Sequence, residues 1–364
     1  MKWLYSVVFA GFILGQSSGA VAGHVEAAIE EKLTRLEVES GIKTPPEKTS
    51  FNVFGDFLLW KTSLDGVAWS TTAELVPGIA GGDVFDDYKT RTVHFDYDPA
   101  FQIGAGVGLP YDHWDIAVRW LRSYSTGRDH AHGVKLPVIG NRVILDSIGM
   151  IQGIFNPLFA QTATAKCRVH LNLVDLVVAR TFLWSKYFSF RPFAGIRGVW
   201  LNMDWDIDFN MPIQPNFAFD QTFTDLDVDN RYHAGGLVGG FESKWNFYQG
   251  LGLFSYATAS LVYGKSSERT KQEFFLVPAL TTNEIQQNFK ARNSTHTVKS
   301  IFDIAIGIKW EMDFGKRYRV LLRAGYDFFY WPAVAQKTVS QFSRIRDRAD
   351  LSFQGLILGG KLVF

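Results

Sequence analysis

The chain has little of what most soluble proteins of its size use. Its 364 residues hold one cysteine, Cys167, so neither an intramolecular disulfide framework nor a site of several thiolates can form. There is no charge excess. With 37 Lys and Arg against 36 Asp and Glu, a partner held by phosphate neutralisation is not expected, and no nucleic acid is assigned to it. After the N-terminal stretch no segment approaches the ~20 apolar residues a membrane helix needs. What is abundant is aromatic side chain, 15% of the chain with 31 Phe, together with 33 glycines. A hydrophobic content of 47% also excludes a disordered polymer.

Lys2 precedes an apolar stretch from Trp3 to Leu14, followed by small residues ending Ala20-Val21-Ala22. That layout predicts a secretory signal peptide over 1–22, with cleavage before Gly23; the apolar stretch is too short to span a bilayer. Residues 24–40 carry the one helical pattern, with Ile29, Leu33 and Leu36 on one face and Gly41 as C-cap. A linker with Pro45-Pro46 follows, so 23–50 reads as a periplasmic helix and linker. The helix is expected as a surface element, with an oligomerisation role left open.

From Phe51 onward the period changes to two. Phe101, Ile103, Ala105, Val107 and Leu109 alternate with Gln102 and glycines, and Trp114, Ile116, Val118 and Trp120 oppose Asp115, Ala117 and Arg119. Ile304, Ile306, Ile308 and Trp310 repeat the pattern, as do Tyr318, Val320, Leu322, Ala324, Tyr326 and Phe328. A soluble sandwich strand also alternates, but over about five or six residues and without aromatics at both ends. Longer segments with aromatic ends and a polar or glycine-rich second face predict a lipid-facing band around a wet lumen. An exported chain without a membrane helix can cross a bilayer only as a closed barrel.

The expected fold over 51–364 is therefore all-β: a transmembrane antiparallel up-and-down barrel of ten strands, with twelve as the alternative. The strands are read at 51–62, 98–109, 113–124, 167–181, 186–202, 231–245, 250–264, 297–313, 317–331 and 350–364. Short turns near 110–112, 182–185, 246–249 and 314–316 alternate with long segments at 63–97, 125–166, 203–230, 265–296 and 332–349, as periplasmic turns alternate with external loops. The unusually apolar stretch Val134 to Phe159 is expected to fold inward or to contact neighbours. The facing of 167–180 and 350–356 stays open, because both faces are apolar in places.

Several segments resemble a known family. Gly55-Asp56-Phe57-Leu58-Leu59-Trp60, Phe95-Asp96-Tyr97-Asp98-Pro99-Ala100-Phe101 with Trp114-Asp115, Val174-Asp175-Leu176 with Arg180, and Phe190-Arg191-Pro192-Phe193-Ala194-Gly195-Ile196-Arg197-Gly198 are similar to stretches of the Legionella-type major outer membrane proteins, also found in chlamydia-like bacteria. The resemblance implies an outer-membrane location and porin activity, with no catalytic residues to carry over. The lone Cys167 departs from the chlamydial relatives, so disulfide cross-linking is not expected. Partners expected are outer-membrane lipid and lipopolysaccharide, and the barrel-assembly machinery through the terminal strand ending in Phe364.

If apolar faces meet lipid, Asp115, Arg119, Arg191, Arg197, Glu242, Lys244, Asp303, Lys309, Glu311, Arg319, Arg323 and Asp327 face the lumen. There they either set ion preference or pair as a structural network. Two ladders, Asp204, Asp206, Asp208 and Asp225, Asp227, Asp229, are expected as an acidic rim above the membrane. They lack the glycine-containing loop of a calcium hand, and no metal or cofactor is expected. Asp129, His130 and His132 read as a polar loop. His94, His170, His233 and His296 lie near strand tops without a nucleophile motif, so an enzyme is not expected. Two functions remain: a porin passing ions and small hydrophilic solutes, or a plugged barrel acting as an adhesin or structural protein through its external loops.

Overall fold

The computed structural model describes residues 49–65, 69–77, 83–132, 142–146, 162–211, 219–278, 285–315, 318–338 and 346–364. The signal peptide, the 24–40 helix and most of the apolar stretch Val134 to Phe159 lie outside the described residues. Ten long strands are present: β1 Ser50–Asp65, β2 Tyr97–Gly108, β3 Trp114–His132, β4 Thr162–Arg180, β5 Phe188–Met211, β6 Phe219–Tyr248, β7 Leu251–Pro278, β8 Ile285–Phe314, β9 Tyr318–Thr338 and β10 Arg346–Val363. Each pairs antiparallel with its chain neighbours, and β1 closes on β10 from Asn52↔Val363 to Asp65↔Asp350. Phe51 and Phe364 exchange backbone hydrogen bonds of 2.8 and 2.9 Å across that seam. Closure removes every edge, which is what the membrane interior demands.

Two short strands join this sheet, His94–Phe95 against β3 and Phe182–Leu183 against β5. A separate three-stranded sheet is made by Ser70–Pro77, Asp83–Arg91 and Arg142–Asp146. The short turns fall within a few residues of the expected positions among the described residues, with Phe182–Leu183 and Asn246–Tyr248 in strand rather than turn, and Gly250 (φ 85°) and Gly315 (φ 64°) take the left-handed backbone two of them require.

The strands overrun the expected boundaries. β5 to β8 have 24, 30, 28 and 30 residues, so much of the segments 203–230, 265–296 and 332–349, expected as loops, is strand. An apolar outward face marks lipid rather than strand: it ends at the membrane surface while cross-strand pairing continues into solvent.

The apolar face changes sides at that surface. In the lower part of the barrel Ile116, Val118, Ile196, Leu237, Ile304, Ile306, Leu322 and Leu358 point outward and are exposed. Phe51, Trp114, Trp245, Trp310 and Tyr318 rim this band below; Tyr97, Tyr124, Trp200 and Tyr263 rim it above. Trp310 to Val298 on β8 covers roughly 40 Å of strand, which the usual ~40° tilt reduces to about 30 Å of depth. Above the band the inward residues are apolar instead: Leu171, Leu201, Met203, Trp205, Ile207, Phe209, Leu226, Val228, Trp331 and Leu351 form one buried cluster. The barrel is thus built for lipid outside in its lower half and around a soluble-type core in its upper half. This inversion explains why the facing of 167–180 was ambiguous. Val174, Leu176 and Val178 face out while Val169, Leu171, Leu173 and Val177 are buried within.

Candidate functional site

The candidate site is the lumen. The twelve residues expected there occupy inward positions of β3, β5, β6, β8 and β9. In a ten-stranded barrel the interior is little wider than side chains can fill, and these side chains meet one another. Asp175 on β4 receives Arg197 at 2.7 and 2.9 Å and Arg119 at 3.1 Å. Arg119 also donates to the Tyr256 hydroxyl at 2.6 Å. Since β3 and β7 are separated by β4, β5 and β6, that bond crosses the lumen. The Arg119 guanidinium lies 5.0 and 5.2 Å from the ring centroids of Phe193 and Tyr256, a cation–π contact with each of two rings that stack on one another.

The remaining charges close further pairs toward the short-turn end. Arg191 grips Asp115 through two nitrogens and reaches Glu242 at 3.0 Å. Glu311 joins Lys244 and Lys309, each at 2.9 Å. Arg323 forks onto Asp56 at 2.8 and 2.6 Å, and Gln102 donates to the same carboxylate at 3.2 Å. Trp60 donates its indole N–H to Asp327 at 2.9 Å. Lys309 is only 1% exposed. Arg319 differs: it pairs with Asp313 at 2.7 Å at the short-turn rim, where both are nearly half exposed.

Above this polar layer the lumen is aromatic. Trp60 packs 5.1 Å from Phe353 and 6.1 Å from Phe329, and Tyr232 lies 5.6 Å from Trp331. Trp69, just beyond β1, folds into the mouth against Phe209 at 6.2 Å and donates to Asp129 at 3.0 Å. Burial opposes ionisation of Asp129, but bonds from Arg91 and Trp69 outweigh it and hold the carboxyl below its usual range. Asp129 therefore does not join His130 and His132, which pack on each other on the opposite face of β3. Within the charged layer lies a cavity of about 30 Å³ walled by Glu242, Lys244, Phe254, Tyr256, Lys309 and Arg323; that is room for one or two waters.

The two Asp ladders are on the outer face, one strand apart and in register: Asp204↔Asp229, Asp206↔Asp227 and Asp208↔Asp225. Burial, and then the facing carboxylates, push Asp204, Asp225 and Asp227 above the ordinary range. Arg168 on β4 offsets part of this through Asp206 at 2.7 Å. Basic rows flank the ladder, with Arg269↔Arg292 and Lys271↔Lys290 across β7 and β8.

Sequence reasoning passed over Asp56, Asp175, Tyr256 and Lys361, the last an inward position of β10 opposite Leu321. Lys361 could have been read from the alternation of Leu358, Leu362 and Phe364. Asp56 and Asp175 sit among inward apolar neighbours (Trp60, Leu171, Leu173), which masked the alternation.

The outer-membrane protease OmpT of Escherichia coli is similar at 11% identity, covering 88% of this chain and 99% of its own, with a TM-score of 0.36. A Pseudomonas aeruginosa FadL homologue is 7% identical over 87% of this chain and 90% of its own, TM-score 0.30. The Pseudomonas putida toluene transporter TodX is 9% identical over 88% and 90%, TM-score 0.24. No individually curated protein matches the sequence. The family model described as Legionella pneumophila major outer membrane protein precursor matches residues 43–364, and the chain belongs to that outer-membrane barrel family.

Proposed function

We propose that this family member is a structural barrel of the outer membrane whose lumen is closed at rest, and that it acts through its outer wall and the strands projecting above it. The observation that carries the reading is the Arg119–Tyr256 bond across the lumen, stacked beneath the aromatic layer of Trp60, Phe329 and Phe353. An open diffusion pore keeps wall charges hydrated. Here Arg119, Arg197, Asp175 and Asp327 are buried. The charged lower lumen and its small cavity favour a second reading, a porin that conducts once the upper layer parts. Liposome swelling with the refolded chain separates them. Swelling rates for a small sugar equal to those of protein-free liposomes support closure, whereas size-dependent swelling establishes the porin.

A further inference from the structure

On the outer wall of β6, β7 and β8, three residues stand directly opposite one another: His233↔Lys265 and Lys265↔His296. With strands about 4.8 Å apart the row spans roughly 10 Å. All three are exposed. Arg231 stands two residues farther up β6 on the same face, with Ser267 and Ser294 in its row. Lys265 makes no ion pair among the described residues, and Arg231 has only a loose contact of 3.6 Å with Asp229. The result is a concentration of N–H and O–H donors around one ammonium, with the charge and hydrogen-bonding pattern of an oxyanion site.

Its height on the wall decides which anion. Immediately below lie Tyr263 and Val298, then Leu237 and Leu261, exposed by 60, 65, 70 and 63%. The Tyr263 ring stacks on His296 at 6.0 Å, joining the polar row to the apolar band. Lys265 is two residues above the aromatic rim of the lipid band, at the depth of lipid headgroups on the long-loop side. A free anion would leave the apolar part of this surface unused; a lipid with a phosphorylated headgroup covers both.

We propose that Arg231, His233, Lys265 and His296 form a phosphate cradle for a phosphorylated glycolipid of the outer leaflet, of the lipopolysaccharide type, whose acyl chains lie on Leu237, Leu261 and Val298. The phosphate accepts hydrogen bonds from Lys265 and Arg231, and the two imidazoles and the serine hydroxyls complete its shell. The site is independent of whether the lumen conducts.

The test uses the refolded full chain in detergent micelles, titrated with bis-phosphorylated lipid A and read by native mass spectrometry. Each basic group beside an anionic lipid contributes roughly a fivefold gain in affinity, so Arg231→Gln with Lys265→Gln is expected to weaken binding about 25-fold. Both positions are exposed, and folding of the variant is checked by heat-modifiable gel mobility. Lipid A stripped of its phosphates should bind wild type and variant alike. Arg122→Gln, an exposed arginine on the outer wall of β3, should leave binding unchanged. Equal binding by wild type and the double variant would overturn the proposal. So would an equal loss in Arg122→Gln, which would mean diffuse attraction, or competition by inorganic phosphate at the concentration at which lipid A binds.

Discussion

Replacing Asp175 by alanine removes the carboxylate that both Arg119 and Arg197 contact, at 3.1 Å and at 2.7 and 2.9 Å. The size of the effect depends on whether water reaches them. At ~4 Å two unit charges attract by about 1 kcal/mol in bulk water and about 4 kcal/mol at an effective dielectric constant of 20. In a hydrated lumen, ions could solvate the two guanidinium groups, and the loss would stay within the ~1 kcal/mol of an exposed pair. In the closed lumen Arg119 and Arg197 are 7% and 3% exposed, and removing one partner of a buried pair costs about 3–5 kcal/mol. Urea unfolding of the refolded chain in micelles, followed by tryptophan fluorescence, is therefore expected to lose about 4 kcal/mol for Asp175→Ala. Asp175→Asn keeps acceptor and donor atoms without the charge and should fall between. An Asp175→Ala variant within about 1 kcal/mol of wild type would show that water occupies the lumen, and would refute the closed reading.

Three further outcomes follow from particular contacts. Trp60→Ala removes the indole that packs on Phe329 and Phe353 and holds Asp327; it should cost about 3–5 kcal/mol in the same urea assay and raise quenching of the remaining tryptophans by iodide. Gly359→Ala places a methyl group against the Asp56 carboxylate that Arg323 and Gln102 hold, so it should destabilise by about 1–3 kcal/mol, with Asp56→Ala no longer additive to it. Asp227→Asn removes one of two facing carboxylates on β5 and β6 and should stabilise by about 0.2–1 kcal/mol at neutral pH and low salt. Because the folded chain holds this carboxyl above its ordinary value, the repulsive penalty is present at high pH and disappears as pH falls through the raised value toward 3.8. Urea midpoints at pH 7 and pH 3 that differ from wild type by the same amount would remove that explanation.

The barrel was legible because lipid imposes a pattern. Where Ile304, Ile306, Ile308 and Trp310 meet acyl chains and Asp303, Lys309 and Glu311 face inward, alternation fixes strand, face and approximate ends. Cross-strand height was not legible. Asp204 and Asp229 lie 25 positions apart in sequence, and only the register places them opposite each other. Above the membrane the pattern inverts, with Trp205, Ile207 and Phe209 inward and Asp204, Asp206 and Asp208 outward. A reader expecting apolar residues outside sees a polar loop there. The charge network was half legible: the inward residues of β3, β8 and β9 followed from alternation, while Asp56 and Asp175 were hidden among apolar inward neighbours. That the charges pair across the lumen, as Arg119 and Tyr256 do, depends on the barrel's circumference, which strand number sets and residue type does not.

The most direct test of the closed lumen is single-channel recording of the refolded chain in a planar bilayer at two salt concentrations, with folding confirmed by heat-modifiable gel mobility. The account predicts no stepwise conductance at either salt concentration. Steps that scale with bulk salt would establish a water-filled passage and contradict it.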